Sequence, residues 1–484
     1  MVNDKPFIKV FETNKRYYLY DVNKNEIQNI NHEQYEILKD VINGRLVNYR
    51  DNEKLKKLLE NGCLSNNRAK EIEHPYSELI SFYLDNNIKM LTLQVTQSCN
   101  FRCEYCIYSG NYLNRQHTSK RMTEEVAFKA IDFLIDHSRN NKEICVAFYG
   151  GEPLLEFNLV KKCIAYAEEK AEGKELSFSM TTNGWLLTDD VTKFLCEHDV
   201  NLTISLDGPE EIQDSHRKVA FNNDGSFKQV ILNIKNLKDK YPDYMRRISF
   251  NAVIDPLNDF SKIDEFFNCN NIVKDIQVGS TIISNNYKKD TNIDKRIDKK
   301  YEEHFMKQEY ELFRIFYYLI RKKNTDKCSR IVKEQYNIIL DFSRRIKPQS
   351  NILEKAHPSG QCVPGVDRLF VNAYGDFFPC ERVSECSELM KIGNIDTGFD
   401  VDNVKKILNL GKVNSEACKN CWAFRFCTIC AAVVDNTEKD FSPKKKEQCC
   451  KEVKQYIEEK LKNYCFLKEF GHDFENEKIN IFNE

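Results

Sequence analysis

The chain has no apolar run approaching the roughly 20 residues that a bilayer-spanning helix requires, so no membrane partner is expected. Its opening, Met1-Val-Asn-Asp-Lys-Pro6, lacks the charged-then-apolar pattern of an export signal, which points to a cytoplasmic protein. An excess of one charge is also missing: 72 Lys and Arg stand against 74 Asp and Glu, for a net charge of −2. A global electrostatic grip on nucleic acid is therefore not expected. No internal repeat indicates a solenoid, and no long low-complexity tract occurs. What remains is a globular chain of 484 residues, 41% hydrophobic and 30% charged, long enough for about three domains.

Cysteine is the residue in excess. There are 19, an odd number, and without a secretion signal such a count points to metal ligation or catalysis rather than disulfides. Nine lie between Cys362 and Cys450, while only Cys63 precedes Cys99; thiols used merely as small core groups would scatter more evenly. Cys145, Cys163, Cys196, Cys269 and Cys328 fall in or near apolar patterns and read as core thiols. Cys63 and Cys465 carry no assignment.

Four regions follow along the chain. Residues 1–80 hold strand-like runs at 7–11 and 17–21. A helix then starts at the N-cap Asn31 with Tyr35, Leu38 and Val41 on one face, and a second spans 52–61, ended by Gly62; together they suggest a winged-helix-like module. From 88 to 296, strand-like runs at 91–96, 144–149, 176–181, 201–206, 248–254 and 275–280 alternate with helical stretches. That rhythm predicts an α/β domain with a parallel sheet and helices outside, an open (β/α)6 partial barrel. Its functional residues belong just past the C-terminal strand ends. Residues 297–350 read as a helical bridge. Residues 355–484 form a Cys-rich domain of short strands and turns, with a closing helix over 450–463.

The first barrel strand runs into Cys99-Asn-Phe-Arg-Cys103-Glu-Tyr-Cys106. Three thiolates at this spacing can wrap one corner of a cubane iron–sulfur cluster and leave the fourth iron open to a small bidentate ligand. A zinc site or three packed thiols are the alternatives, although structural zinc wants four protein ligands and more usually CxxC pairs. This loop, with an aromatic residue before its last cysteine, resembles the signature of the radical S-adenosylmethionine (SAM) superfamily. Gly150-Gly151-Glu152-Pro153 is similar to the family's segment that holds the SAM amino group. Thr182 and Asn183, then Ser205 and Asp207, match positions that lie against its ribose and methionine parts. Arg217 is a candidate partner for the SAM carboxylate.

The tail resembles the SPASM domain of peptide-modifying members, which binds auxiliary [4Fe–4S] clusters. The resemblance implies one auxiliary cluster on Cys418, Cys421, Cys427 and Cys449 (or Cys450), and another on Cys362, Cys380 and Cys430. A zinc ribbon over 418–430 is the alternative. The last spacing, Cys427-x2-Cys430, is one residue shorter than the usual pattern. The second set shows three obvious ligands; Cys386 could be a fourth, or an iron stays open to a substrate thiolate. Glu381 stands where sulfatase maturases carry Asp and is a candidate acid or base. The basic run Pro443-Lys-Lys-Lys446 reads as a solvated loop.

By this resemblance the cofactors are SAM, one SAM-binding cluster and two auxiliary clusters. The activity is thioether crosslinking of a ribosomally made, Cys-containing precursor peptide. The N-terminal module is similar to a PqqD-like element that would hold the peptide's leader, and a flavodoxin or ferredoxin would supply electrons. The alternatives are a sulfatase-maturating enzyme that forms formylglycine and a non-catalytic zinc-binding interaction protein.

Overall fold

The computed structural model describes residues 4–46, 48–289 and 299–475; the first residues of the expected helical bridge, 297–298, and the tail 476–484 lie outside them. The central feature is a run of six parallel strands: β4 (Met90–Thr96), β5 (Glu143–Gly150), β6 (Glu175–Thr182), β7 (Asn201–Ser205), β8 (Ile248–Ile254) and β9 (Gln277–Ile282). They lie side by side in chain order, each paired with the next. Helices at Glu124–Asp136, Phe157–Lys170, Asp189–Glu197 and Phe227–Lys240 separate strands as the periodicity predicts. Thr123 and Thr188 start two of these helices, each hydroxyl accepting a backbone N–H of the first turn.

Strand alternation sorts the side chains of β4. Leu91, Leu93 and Val95 join the main core, while Thr92, Gln94 and Thr96 are buried on the opposite face. The polar row faces the hollow of the sheet, where Gln94 reaches Tyr108 Oη at 2.8 Å and Glu385 Oε1 at 2.6 Å.

The sheet does not stop at six strands. Strand β10 (Leu369–Val371) pairs parallel with β4, and β11 (Asp376–Phe378), β12 (Gly393–Asn394) and β13 (Gly398–Phe399) follow it antiparallel, giving ten strands in all. The Cys-rich tail is thus hydrogen-bonded onto the first barrel strand. Two long helices, Lys299–Ile320 and Arg330–Arg345, occupy the expected bridge. The closing helix runs over Pro443–Glu469, longer than expected at both ends, because Ser442 caps it and Pro443 takes its first position.

The N-terminal segment is a three-stranded antiparallel sheet, β1 (Ile8–Glu12), β2 (Tyr17–Asp21) and β3 (Glu26–Ile30), followed by helices His32–Ile42 and Lys56–Glu60. Asn31 and Gln34 form a reciprocal capping box, and Tyr35, Leu38 and Val41 are buried as expected. Both faces of this sheet are covered. Ile8, Val10 and Leu19 pack on the module's own helices, with Cys63 in the same core. Phe7, Phe11, Tyr18 and Tyr20 pack against Phe424, Phe426, Ile457, Leu461 and Cys465 of the Cys-rich domain. That two-sided burial explains the unbroken apolar run in Tyr17–Asp21 and gives Cys63 and Cys465 a packing role. Cys163 and Cys328 are buried and Cys145 and Cys196 half-buried, but Cys269, expected in the core, is exposed at the end of its helix.

Arg425 fastens the module to the tail, donating from Nε to the Val22 carbonyl at 2.6 Å and from Nη2 to those of Asn23 and Ser350 at 3.1 and 2.7 Å. Arg425→Ala is expected to cost about 2–3 kcal/mol, since charged donors are lost from part-buried carbonyls. Hydrogen exchange over residues 17–30 should accelerate while exchange in β4–β7 stays unchanged.

Candidate cluster and cofactor site

The three cysteines of the first motif lie on the loop that leaves β4. Phe101 anchors that loop, buried and edge-on to Trp185 at 5.7 Å between ring centroids. The Arg102 and Ala220 N–H groups bond the Lys218 and Asn100 carbonyls, both at 2.8 Å, which staples the loop to residues 218–220. The Cys99 sulfur accepts the Phe101 N–H at 3.3 Å, and the Cys106 sulfur accepts that of Tyr108 at 3.4 Å.

Burial pushes the Cys103 thiol up to about 12, against the pull of Arg217. Burial also raises Cys99, followed by Glu152, with Cys103 and Cys106 contributing. The thiols are therefore close enough to feel one another's charge, and they stay protonated until a metal displaces their protons. Asn100 Nδ2, beside them, is buried without a hydrogen-bond partner. Three free thiols on one loop, Cys103 buried and Cys99 and Cys106 half-buried, beside an unsatisfied donor fit a thiolate-ligated cluster. Among the described residues, no three His, Cys, Asp or Glu side chains are gathered as a single metal ion would require.

The glycines of Gly150-Gly151-Glu152-Pro153 are dictated by a close backbone approach. A Cβ on Gly150, whose φ is +145°, would sit 2.2 Å from the Thr96 carbonyl oxygen, and one on Gly151 would sit 2.2 Å from that of Ser98. The absence of side chains lets the Gly151 and Glu152 N–H groups bond the Thr96 and Ser98 carbonyls, both at 2.9 Å. Pro153 then opens a short 3₁₀ turn capped by Glu152. The Glu152 carboxylate is fully buried and accepts from Thr182 Oγ1 at 2.7 Å and the Asn183 N–H at 2.8 Å. Burial outweighs these bonds and lifts its pKa from the ordinary 4.5 to about 7.

Thr182 and Asn183 close β6, and Asn183 Nδ2 donates to Asn100 Oδ1 at 2.8 Å. Ser205 closes β7 beside Asn251. Asp207 is buried, accepting from Arg217 Nε at 2.9 Å, from the Val253 N–H at 3.0 Å, and from the Tyr105 hydroxyl. Burial opposes the charge on Arg217, but Asp207 and then Tyr105 and Cys103 hold its pKa well above normal. Tyr105, the aromatic residue of the motif, thus links the thiol loop to the Asp207–Arg217 pair.

The other cysteines gather in two sets. In one, burial raises Cys427 to about 12, with Cys421, Cys418 and Cys450 adding to it. Cys450 in turn feels Cys418. The Cys449 sulfur lies 3.9 Å from the Val433 carbonyl oxygen. In the other, burial and then Glu381 raise Cys380 to about 12, with Cys430 and Cys362 contributing. Cys386 is exposed and its sulfur lies 3.7 Å from the Asn114 carbonyl oxygen.

Glu381 is held by Arg368 Nη1 at 2.8 and 2.9 Å. Burial raises its pKa, but Arg368 and Arg382 bring the net value below normal. One expectation needs correcting. Lys446 is not solvated but 2% exposed, in the first turn of the closing helix. Sequence reasoning also missed Arg115, buried and ion-paired with Glu385. It donates to the carbonyls of Glu381 at 2.7 Å and Val383 at 3.2 Å. No local pattern announces that pairing across 270 residues.

Residues 93–268 match the model of the Radical SAM superfamily. The chain is 24% identical over 437 residues to "Radical SAM cyclopropyl synthase TigE" of Paramaledivibacter caminithermalis, covering 84% of each chain. It is 31% identical over 162 residues to a cysteine-type anaerobic sulfatase-maturating enzyme of Clostridium novyi, 33% of this chain and 42% of that one. The structure titled "Native anSMEcpe with bound AdoMet" superposes with a TM-score of 0.58 at 22% identity, covering 78% of this chain and 99% of that one, a likeness of fold.

Gly151→Ala should separate residues 151–152 from 97–98, lowering stability by about 1–3 kcal/mol. Anaerobic reconstitution should then load one four-iron cluster fewer. A second expectation concerns pH. The pKa of Glu152 rises on folding from 4.5 to about 7, so the protein binds its proton more tightly than the unfolded chain does. Its contribution is fully present below pH 4.5 and is lost as pH rises through about 7. Glu152→Gln should gain roughly 3 kcal/mol on wild type between pH 4.5 and 8, at about 1.4 kcal/mol per unit, read from denaturant midpoints of the metal-free protein.

Proposed function

Because residues 93–268 carry a radical SAM domain, whose cofactors are SAM and a [4Fe–4S] cluster, we propose that this protein is a maturase installing sulfur-to-carbon thioether links in a ribosomally made, Cys-containing peptide. The reading is carried by the Cys386 sulfur, which is turned to the Asn114 carbonyl at 3.7 Å and so leaves Cys362, Cys380 and Cys430 as three thiols for an auxiliary cluster. Three ligands at an auxiliary cluster leave a position for a substrate thiolate. Cys418, Cys421, Cys427 and Cys450 would hold a fully ligated second auxiliary cluster.

Cys99, Cys103 and Cys106 would hold the SAM-binding cluster, with Glu152 taking the SAM ammonium. Asp207 fixes Arg217 through Nε, which frees the terminal guanidinium nitrogens for the SAM carboxylate. Ser205, Thr182 and Asn183 lie at the ends of the neighbouring strands β7 and β6. When bound, that cluster would supply the electron for reductive SAM cleavage, and hence the means of removing hydrogen from an unactivated carbon. The protein's own task is to hold that carbon in register and exclude stray hydrogen donors. The buried polar row of β4, with Arg115 and Glu385, keeps the interior fixed. The N-terminal sheet and its helices would bind the leader, and a flavodoxin or ferredoxin would deliver electrons to this cytoplasmic enzyme.

A second reading, formylglycine formation in a sulfatase, is favoured by the higher identity of the sulfatase-maturating relatives. Anaerobic co-expression with a Cys-rich peptide encoded beside this protein separates the two. Loss of a pair of hydrogens per link, with thiols no longer alkylatable, supports thioether formation; formylglycine in a sulfatase supports the second reading. Cys103→Ala should abolish SAM cleavage while auxiliary iron is retained, and undiminished cleavage would overturn the assignment.

A further inference from the structure

Lys446 is a cation placed where cations are disfavoured. It lies in the first turn of the helix Pro443–Glu469, a turn with no acidic residue, although the helix dipole favours anions there. Its side chain is buried, with the whole residue 2% exposed. Nζ donates to the Gly411 carbonyl at 3.1 Å and to the Cys418 sulfur at 3.3 Å. These are its partners among the described residues, and neither is a carboxylate. An ammonium taken out of water without an anion is strongly unfavourable, so the counter-charge must come from sulfur. Its charge also acts on Cys450, on the next turn of the same helix.

We propose that Lys446 tunes the reduction potential of the cluster held by Cys418, Cys421, Cys427 and Cys450, through a fixed positive charge and a hydrogen bond on the Cys418 sulfur. The inference rests on those four thiols being ligands. Net charge and hydrogen bonds to sulfur are the levers that set such potentials. The reduced cluster carries one more negative charge than the oxidised one, so the ammonium stabilises it more and raises the potential. Lys446 acts through Cys418 as a positioning and tuning residue and does not touch substrate.

The test is a potentiometric titration of the reconstituted full-length protein, followed by electron paramagnetic resonance. A Cys103→Ala background removes the SAM-binding cluster, and the signal lost on adding Cys418→Ala identifies the cluster in question. Lys446→Met should make that cluster about tenfold harder to reduce at a given potential, equivalent to about 59 mV lower for a one-electron couple. Lys446→Arg should stay near the parent value. Lys446→Gln keeps a donor without the charge and decides the matter where the Met variant loses iron; its midpoint should also fall. An unchanged midpoint with iron retained overturns the inference. Full iron retention in Cys418→Ala overturns the ligand reading itself, and the inference with it.

Discussion

Two backbone hydrogen bonds, from the Gly151 and Glu152 N–H groups to the Thr96 and Ser98 carbonyls, hold the site together. They pull the end of β5 against the exit of β4, which is possible only because neither glycine carries a Cβ. From that contact Glu152 is delivered into the interior, where it organises Thr182 and Asn183 at the end of the next strand. Asn183 reaches back to Asn100 in the thiol loop. The circuit runs across three strand ends and closes on itself, so the position of each element depends on the others. The cost is a carboxylate buried well away from its preferred ionisation range.

Much of this was legible in the sequence, because the informative features are local. Period-two and period-3.6 patterns located all six parallel strands and four of the separating helices, and the thiol spacing located the loop. What escaped was non-local or depended on rotational phase. Strand β3 is a polar edge strand, too weakly alternating to read. Whether Cys449 or Cys450 joins its set depends on helix phase, which the pair alone does not reveal. The pairing of Arg115 with Glu385 spans 270 residues. Lys446 offered one signal, a lysine run at a helix N-terminus against the dipole, which composition alone assigns to solvent. The role of Gly151 was visible as a motif, but its reason is contact with the protein's own backbone.

The Cys-rich tail is not an appendage. Its strand β10 pairs with β4, the strand that ends at the thiol loop, and its segment 381–385 enters the sheet hollow through Arg115 and Gln94. Both clusters of apolar residues around the N-terminal sheet are needed to bury it, and one is made largely by the tail. Domain boundaries drawn from composition therefore cut through shared cores. The N-terminal module is thereby fixed relative to the parallel sheet.

The helix Pro443–Glu469 belongs to two structures at once. Near its start it carries Lys446 and Cys450, while near its end Glu469 accepts from the Tyr18 hydroxyl at 2.8 Å, and Ile457 and Leu461 pack under the N-terminal sheet. At 1.5 Å per residue this 27-residue rod is about 40 Å long. Loss of a cluster held by Cys418 and Cys450 would remove the anion that compensates the buried Lys446 ammonium, and fraying that end would return the charge to water. A fraying rod loosens what leans on it, so the N-terminal sheet packed on its far half would be loosened with it.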